Sequence, residues 1–205
     1  MYLVKTPKII QTLRPAFLWR MPPEEKVLYL TFDDGPIPEV TPWVLELLDQ
    51  YAASATFFCV GDNVRKHQDI YRQILDAGHA TGNHTFHHLN GWHTEHRAYF
   101  RDIRRCAEVV DSALFRPPYG RILPRQRAYL ERRYRIVMWD VLSGDFDTSL
   151  SPEDCLRNVL DHVEPGSIVV FHDSLKAEPR LRYALPRVLE YFKERGWRFE
   201  GLAGG

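Results

Sequence analysis

The sequence predicts a single α/β domain whose parallel sheet closes as a barrel. Three observations point there. About seven apolar, β-rich runs alternate with about six stretches of helical apolar spacing, the rhythm of a parallel sheet covered by helices. No repeat, low-complexity segment or linker interrupts the 205 residues, a length that fits one domain with a sizeable core. The unusual polar residues each follow a predicted strand: Asp33-Asp34, the histidines from His84, Arg116 to Tyr119, Asp145 and His172. In a (β/α) barrel all strand C-termini share one face, and that face holds the site. An open doubly wound sheet gathers loops only near its switch point, so many contributing loops favour the barrel.

Residues 1–24 read as an N-terminal arm, with Ile9, Ile10, Leu13, Phe17 and Leu18 packing it on a domain spanning 25–205. Val27 to Leu30 runs into Thr31-Phe32-Asp33-Asp34-Gly35-Pro36, a buried strand whose end opens into a site before Gly35-Pro36 turns the chain. Thr41 suits an N-cap and Pro42 the first helical position. Ala55 to Val60 is the next strand. Val64 to Ala77 has helical spacing with Gly78 as C-cap, and His79 to Asn83 is a short strand. Thr94 to Leu114 is helical, with Tyr99, Ile103, Ala107 and Val110 on one face. Two prolines exclude regular structure from Arg116 to Gly120. Pro124 to Arg133 is a helix, Arg135 to Trp139 a strand and Ser143 to Leu150 a polar loop. Ser151 caps a helix with acid in its first turn. Ser167 to Phe171 is a strand. Arg182 to Arg195 is a helix that tolerates Pro186 only in its first turn, and Trp197 to Phe199 is a last strand. The tail from Leu202 to Gly205 is expected to fray.

Composition narrows the function classes. Hydrophobic content of 44%, charged content of 26% and zero net charge describe an ordinary globule, with neither a basic field for nucleic acid nor an acidic excess. Cys59, Cys106 and Cys155 are scattered and odd in number, which reads as buried thiols in a reducing compartment. No stretch approaches the ~20 apolar residues that span a bilayer. Pro7, Lys8, Arg14 and Pro15 break any apolar leader, so the expected location is cytoplasmic.

Adjacent carboxylates at Asp33 and Asp34 repel each other, and a divalent cation holds such a pair ionised. Asn83-His84-Thr85-Phe86-His87-His88 supplies imidazoles. His84 and His88 stand four apart, so one helical turn would aim both to one side, and His87, three from His84, is a geometric alternative. Two histidines and one aspartate leave most of a coordination sphere open, as a catalytic metal requires. Zinc is the expected ion, with cobalt, nickel or manganese as alternatives. Trp92, after Gly91 in a loop, is the best candidate for stacking a sugar, while Trp43, Trp139 and Trp197 read as core.

Thr31 to Pro36, His84-Thr85-x-x-His88, Arg116-x-Pro118-Tyr119-Gly120, Asp145 and Val170-Phe171-His172 occur in order. Together they resemble the motifs of the polysaccharide deacetylase family, also called the NodB homology domain or carbohydrate esterase family 4, over roughly Val27 to Phe199. The resemblance implies a distorted (β/α)7 barrel and metal-dependent removal of acetyl groups from N-acetylated sugars. By the same resemblance Asp33 is the base; Asp34, His84 and His88 hold the metal; Arg116 holds the base. The Tyr119 N–H is the oxyanion donor, His172 the general acid, and Asp145 the carboxylate that tunes Arg116 and His172. Asp140 and Asp147 lie near Asp145, so that choice rests on motif alignment. Phe146 stands where the family usually carries Trp, a departure that bears on the acetyl pocket more than on mechanism. The rival readings are a hydrolase of a non-sugar amide or cyclic imide on the same barrel, and a sugar-binding module without turnover.

Overall fold

The computed structural model describes residues 2–202. Its centre is β1 (Val27–Asp33), seven residues buried along their whole length. A strand buried on both faces needs neighbours on both edges, and β1 has them. β2 (Thr56–Cys59) pairs with it in parallel on one side and β7 (Ile168–His172) on the other. The sheet continues through β3 (Ala80–Asn83), β4 (Leu114–Phe115) and β5 (Arg135–Ile136) on the β2 side, and through β6 (Val141–Leu142) beyond β7. The order β5-β4-β3-β2-β1-β7-β6 is parallel throughout and curls into a distorted (β/α)7 barrel; β8 (Arg198–Phe199) adds a short pairing to the start of β1.

Helices cover the sheet. α2 (Thr41–Gln50), α7 (Pro152–Leu160) and α8 (Glu178–Glu194) turn Val44, Leu48, Val159, Leu185, Val188 and Leu189 onto Leu28, Leu30, Phe32 and Phe171. Phe32 stacks between Phe57 and Phe171 at ring-centroid distances of 5.0 and 6.2 Å, so the three central strands are locked by aromatic contacts. α5 (His96–Ala107) and α6 (Pro124–Leu130) close a second cluster around Tyr99, Phe115 and Ile136.

Several elements differ from the sequence reading. The helix expected over 64–77 is two, α3 (Gly61–Lys66) and α4 (Gln68–Asp76), because His67 takes an extended φ of −128° between them. Thr41 does not cap α2. Its hydroxyl donates to Asp173 at 2.6 Å while accepting from the Ile37 N–H at 2.8 Å. Pro186 lies well inside α8, which begins at Glu178 rather than Arg182; the face around it, from Leu181 to Phe192, is buried and keeps the helix in place despite the missing donor. β5 is shorter than expected, because beyond it the Met138 and Trp139 carbonyls accept from Arg116 and Thr6. Leu202 does not fray: it is buried and donates to the Thr56 hydroxyl at 2.8 Å, while residues 203–205 lie outside the described range.

The N-terminal segment, including α1 (Lys8–Leu13), runs along the barrel's outer strands. Leu18 bridges Val137 in parallel and Lys5 bridges Val141 in antiparallel fashion. Asp140 is fully buried and gathers Lys5, Gln11 and Ser167 at 2.6–3.0 Å. Phe17 and Trp19 are buried, whereas Ile9 and Leu13 face out. Among the described residues no helix is long and apolar enough to cross a membrane.

Candidate active site

Asp33-Asp34, the histidines from His84, Arg116 to Tyr119, Asp145 and His172 all fall at or just beyond the C-terminal ends of strands, on one face of the barrel. The register of the central strands pairs Asp33 with His172 directly. A strand end buried among aromatics is a costly place for charge, so each side chain there needs a partner.

Asp33 has one. Arg116, with no exposed surface, donates from Nη1 to Asp33 Oδ1 at 2.6 Å and to Thr31 Oγ1 at 2.8 Å, and from Nη2 to the Met138 carbonyl at 2.9 Å. Its guanidinium lies 4.1 Å from the Phe58 ring centroid. Burial pushes the Asp33 carboxyl up, but Arg116, then His84 and His172, outweigh it and hold the group below the ordinary carboxylate range.

Asp34 points away from Arg116, toward two imidazoles. Its Oδ1 lies 3.2 Å from His88 Nε2 and 3.9 Å from His84 Nε2. The three ligand-type atoms all lie within 4.8 Å of one another, a group that fits one metal ion. The Arg116 carbonyl, 2.7 Å from His84 Nδ1, accepts a hydrogen bond from the Nδ1–H and leaves the Nε2 lone pair free for a cation. Burial lowers the His84 pKa to about 4, so the ring is neutral, the form a cation binds.

Backbone shape delivers these side chains. Asp34 sits at φ 84°, and Asn63 holds its carbonyl at 2.8 Å. Gly35 passes so close to Asp173 that a Cβ there would fall 1.9 Å from a carboxylate oxygen; its N–H donates to Asp173 Oδ1 at 3.0 Å. The segment 84–88 is a loop, not the helical turn that the spacing suggested, with Thr85 at φ 63° and His88 at φ 55°. Asp102 of α5 shapes it, accepting the Phe86 and His87 N–H groups at 2.8 and 2.9 Å. The same carboxylate binds His87 Nδ1 at 2.5 Å, and it is His88 that stands beside Asp34 with His84.

Opposite Asp33, His172 stands on β7. The buried Asp145 carboxylate accepts from the His172 N–H and from Nδ1, each at 2.7 Å. Burial lowers the imidazole's affinity for a proton, but Asp145 outweighs it and raises the pKa to about 9. Arg180 of α8 donates to the Asp145 carbonyl and fixes the loop. Asp140 and Asp147 take no part: the first holds the N-terminal segment, the second binds Tyr2 and Ser149.

Tyr119 completes the rim. It is 61% exposed, its φ is 61°, and its ring lies 4.7 Å from that of His88. Its N–H has no acceptor among the described residues. Beside it, Gly120 opens onto a groove of about 440 Å³ lined by Trp92, Ile122, Met138 and the arm residues Leu13, Phe17 and Trp19.

Comparison with known proteins places this geometry. The polysaccharide deacetylase family model matches residues 20–134. A peptidoglycan-N-acetylglucosamine deacetylase of Bacillus cereus is 35% identical over 188 residues, 88% of each chain. The chain belongs to the polysaccharide deacetylase family. A chitooligosaccharide deacetylase of Azorhizobium caulinodans is 35% identical over 164 residues, 75% of this chain and 77% of that one. Among solved structures, the Bc1960 peptidoglycan N-acetylglucosamine deacetylase in complex with a naphthyl N-hydroxybenzamide superposes with a TM-score of 0.88 at 32% identity, covering 96% of this chain and 95% of that one.

Asp102, Asp173 and Arg180 support this candidate site without having been singled out in the sequence, and Asn83, quoted only as the start of the histidine run, accepts the Thr85 N–H. Asp102 had a readable signal, an acid on the apolar stripe of Tyr99, Ile103 and Cys106. Asp173 and Arg180 act through contacts 132 and 35 residues away in the chain, which local pattern does not display. Trp92 is solvent-facing, and Arg121 lies over its ring at 5.0 Å.

Proposed function

We propose that this deacetylase hydrolyses the N-acetyl group of an amino-sugar substrate, with a divalent cation held by Asp34, His84 and His88. The observation that carries the reading is the separation of two neighbouring carboxylates. Asp33 is bound to Arg116, Asp34 is aimed at two imidazoles, and a carboxylate-paired histidine faces them from the next strand. Two imidazoles and a carboxylate suit zinc, with cobalt, nickel and manganese as candidates. Such a cation supplies Lewis acidity, polarising the acetyl carbonyl and acidifying water at neutral pH.

The protein's own groups do the rest. Asp33, kept ionised by Arg116, accepts the proton of the attacking water. The Tyr119 N–H donates to the oxyanion developing on the acetyl carbonyl; loss of one such donor costs ~3 kcal/mol of barrier elsewhere. His172, protonated through Asp145, donates a proton to the amine nitrogen as the C–N bond breaks. Relatives named for peptidoglycan N-acetylglucosamine and for chitooligosaccharides support an N-acetylated glycan as the substrate class. The test is acetate release from N-acetylglucosamine oligomers with and without chelator. Chelator-sensitive release is expected. Turnover of small non-sugar amides alone, or sugar binding without turnover, would replace this reading.

A further inference from the structure

We propose that Tyr2, from the N-terminal segment, is a positioning residue for His172, acting through Phe146. The inference rests on the reading of His172 as the proton donor. Residues 2–6 run beside β6, with the Leu142 N–H donating to the Val4 carbonyl and the Thr6 N–H to the Asp140 carbonyl, both at 2.8 Å. β6 leads straight into the loop that carries Asp145 and Phe146. The segment therefore delivers Tyr2 to the back of that loop. Its hydroxyl donates to Asp147 Oδ2 at 2.9 Å. Its ring packs on Phe146 at 5.1 Å between centroids, tilted by 57°. Phe146 in turn meets His172 edge to face at 5.2 Å and 68°.

The need for this stack follows from how His172 is held. Asp145 fixes one edge of the imidazole through Nδ1, and a single hydrogen bond leaves the ring free to swing about that contact. Phe146 packs against the ring from one side. Phe146 is itself only partly buried, and Tyr2 is what lies behind it. Arg180 pins the loop at the Asp145 carbonyl and Asn158 at the Ser143 carbonyl, and Tyr2 grips it at Asp147. Tyr2 thus supports the loop twice, by a ring contact to Phe146 and a hydrogen bond to Asp147.

The proton leaves His172 for the amine nitrogen as the C–N bond breaks, so a defect in His172 placement falls on substrates whose leaving group needs that proton. Tyr2→Ala is expected to lower kcat on N-acetylglucosamine oligomers about tenfold with KM nearly unchanged, since misplacing a catalytic group by a fraction of an ångström costs rate and not binding. Hydrolysis of 4-nitrophenyl acetate, whose phenolate leaves unaided, should stay near the wild-type rate and doubles as a check on folding. Tyr2→Phe, which keeps the ring, should retain most of the amide activity. In a double-mutant cycle Tyr2→Ala should cost much less on the Phe146→Ala background than on the wild type, the remainder being the Asp147 hydrogen bond. Wild-type amide turnover in Tyr2→Ala, equal losses on both substrates, or fully additive losses with Phe146→Ala would each overturn the inference. His172→Ala, run alongside, separates the two claims. If it keeps wild-type amide turnover, the proton-donor assignment itself fails; if it does not, only the role of Tyr2 is at stake.

Discussion

Asp33 and His172 face each other across one strand pairing and carry opposite ionisation demands, the first to be charged by loss of a proton and the second by its gain. Arg116 settles the first and Asp145 the second. The His172 pKa of about 9 lies above its ordinary value of 6.5. A raised pKa in the folded state means the His172–Asp145 pair contributes its full stability below about 6.5 and loses it as pH rises through about 9. The proton donor disappears over the same upper range, so kcat on an N-acetyl sugar is expected to fall above pH of about 9, by roughly tenfold per unit once past it. A flat alkaline profile would remove His172 from the role. The adjacent aspartates separate by metal content. Asp33→Asn should retain the cation and lose nearly all turnover, whereas Asp34→Asn should bind the cation poorly and recover some activity in excess metal. Atomic spectroscopy with rates across a metal titration reads both, and the reverse pattern would exchange their roles.

At the scale of elements, the histidine loop depends on a helix that never reaches the site. Asp102 on α5 satisfies two loop N–H groups and turns His87 outward. Asp102→Ala strands the buried Phe86 N–H, at a cost of about 1–3 kcal/mol, and releases the part-buried His87 N–H, so a lowered Tm together with weaker metal binding is expected. His87→Ala should leave metal affinity unchanged; a large loss there would mean that His87 is a ligand after all. The same loop shows what the sequence displayed and what it hid. His84 and His88 were legible as a pair, because two imidazoles beside a carboxylate have few other uses. Their means of convergence was not, because the positive φ values at Thr85 and His88 go with a loop held by the Asn83 side chain and, from outside the hexapeptide, by Asp102 on α5. The long strand β1 stood out by its apolar run, while β6, with only Val141 and Leu142, is too short for any periodicity to mark. Pro186 misled for a related reason: the proline argued for a late helix start, and the buried face from Leu181 to Phe192 overrode that local preference.

At the scale of the whole molecule, strand ends drawn from β1, β3, β4, β6 and β7 meet around one centre, so a ligand there ties most of the sheet together. A cation that binds the folded chain and not the unfolded one stabilises it by about 2.7 kcal/mol at a hundredfold excess over Kd. For a domain of this size roughly 2–4 °C follows per kcal/mol, so chelation should lower Tm by several degrees, reversibly on adding zinc. An unchanged Tm would argue against a tightly held ion at Asp34, His84 and His88. The barrel itself was legible because polar residues recurred after successive apolar runs; the path of residues 2–20 was not, since its anchors, Asp140, Val137 and Val141, lie more than a hundred residues along the chain. That path has a practical consequence for handling the enzyme. Tyr2 lies behind the loop of His172, whereas Leu202 is anchored beside Thr56, where β2 begins. A carrier attached on the Tyr2 side would load the segment that backs the His172 loop, whereas Leu202 sits at the opposite end of the strands from the cleft, so attachment to a bead or an electrode on the Leu202 side should keep the cleft turned toward a bulky polymer.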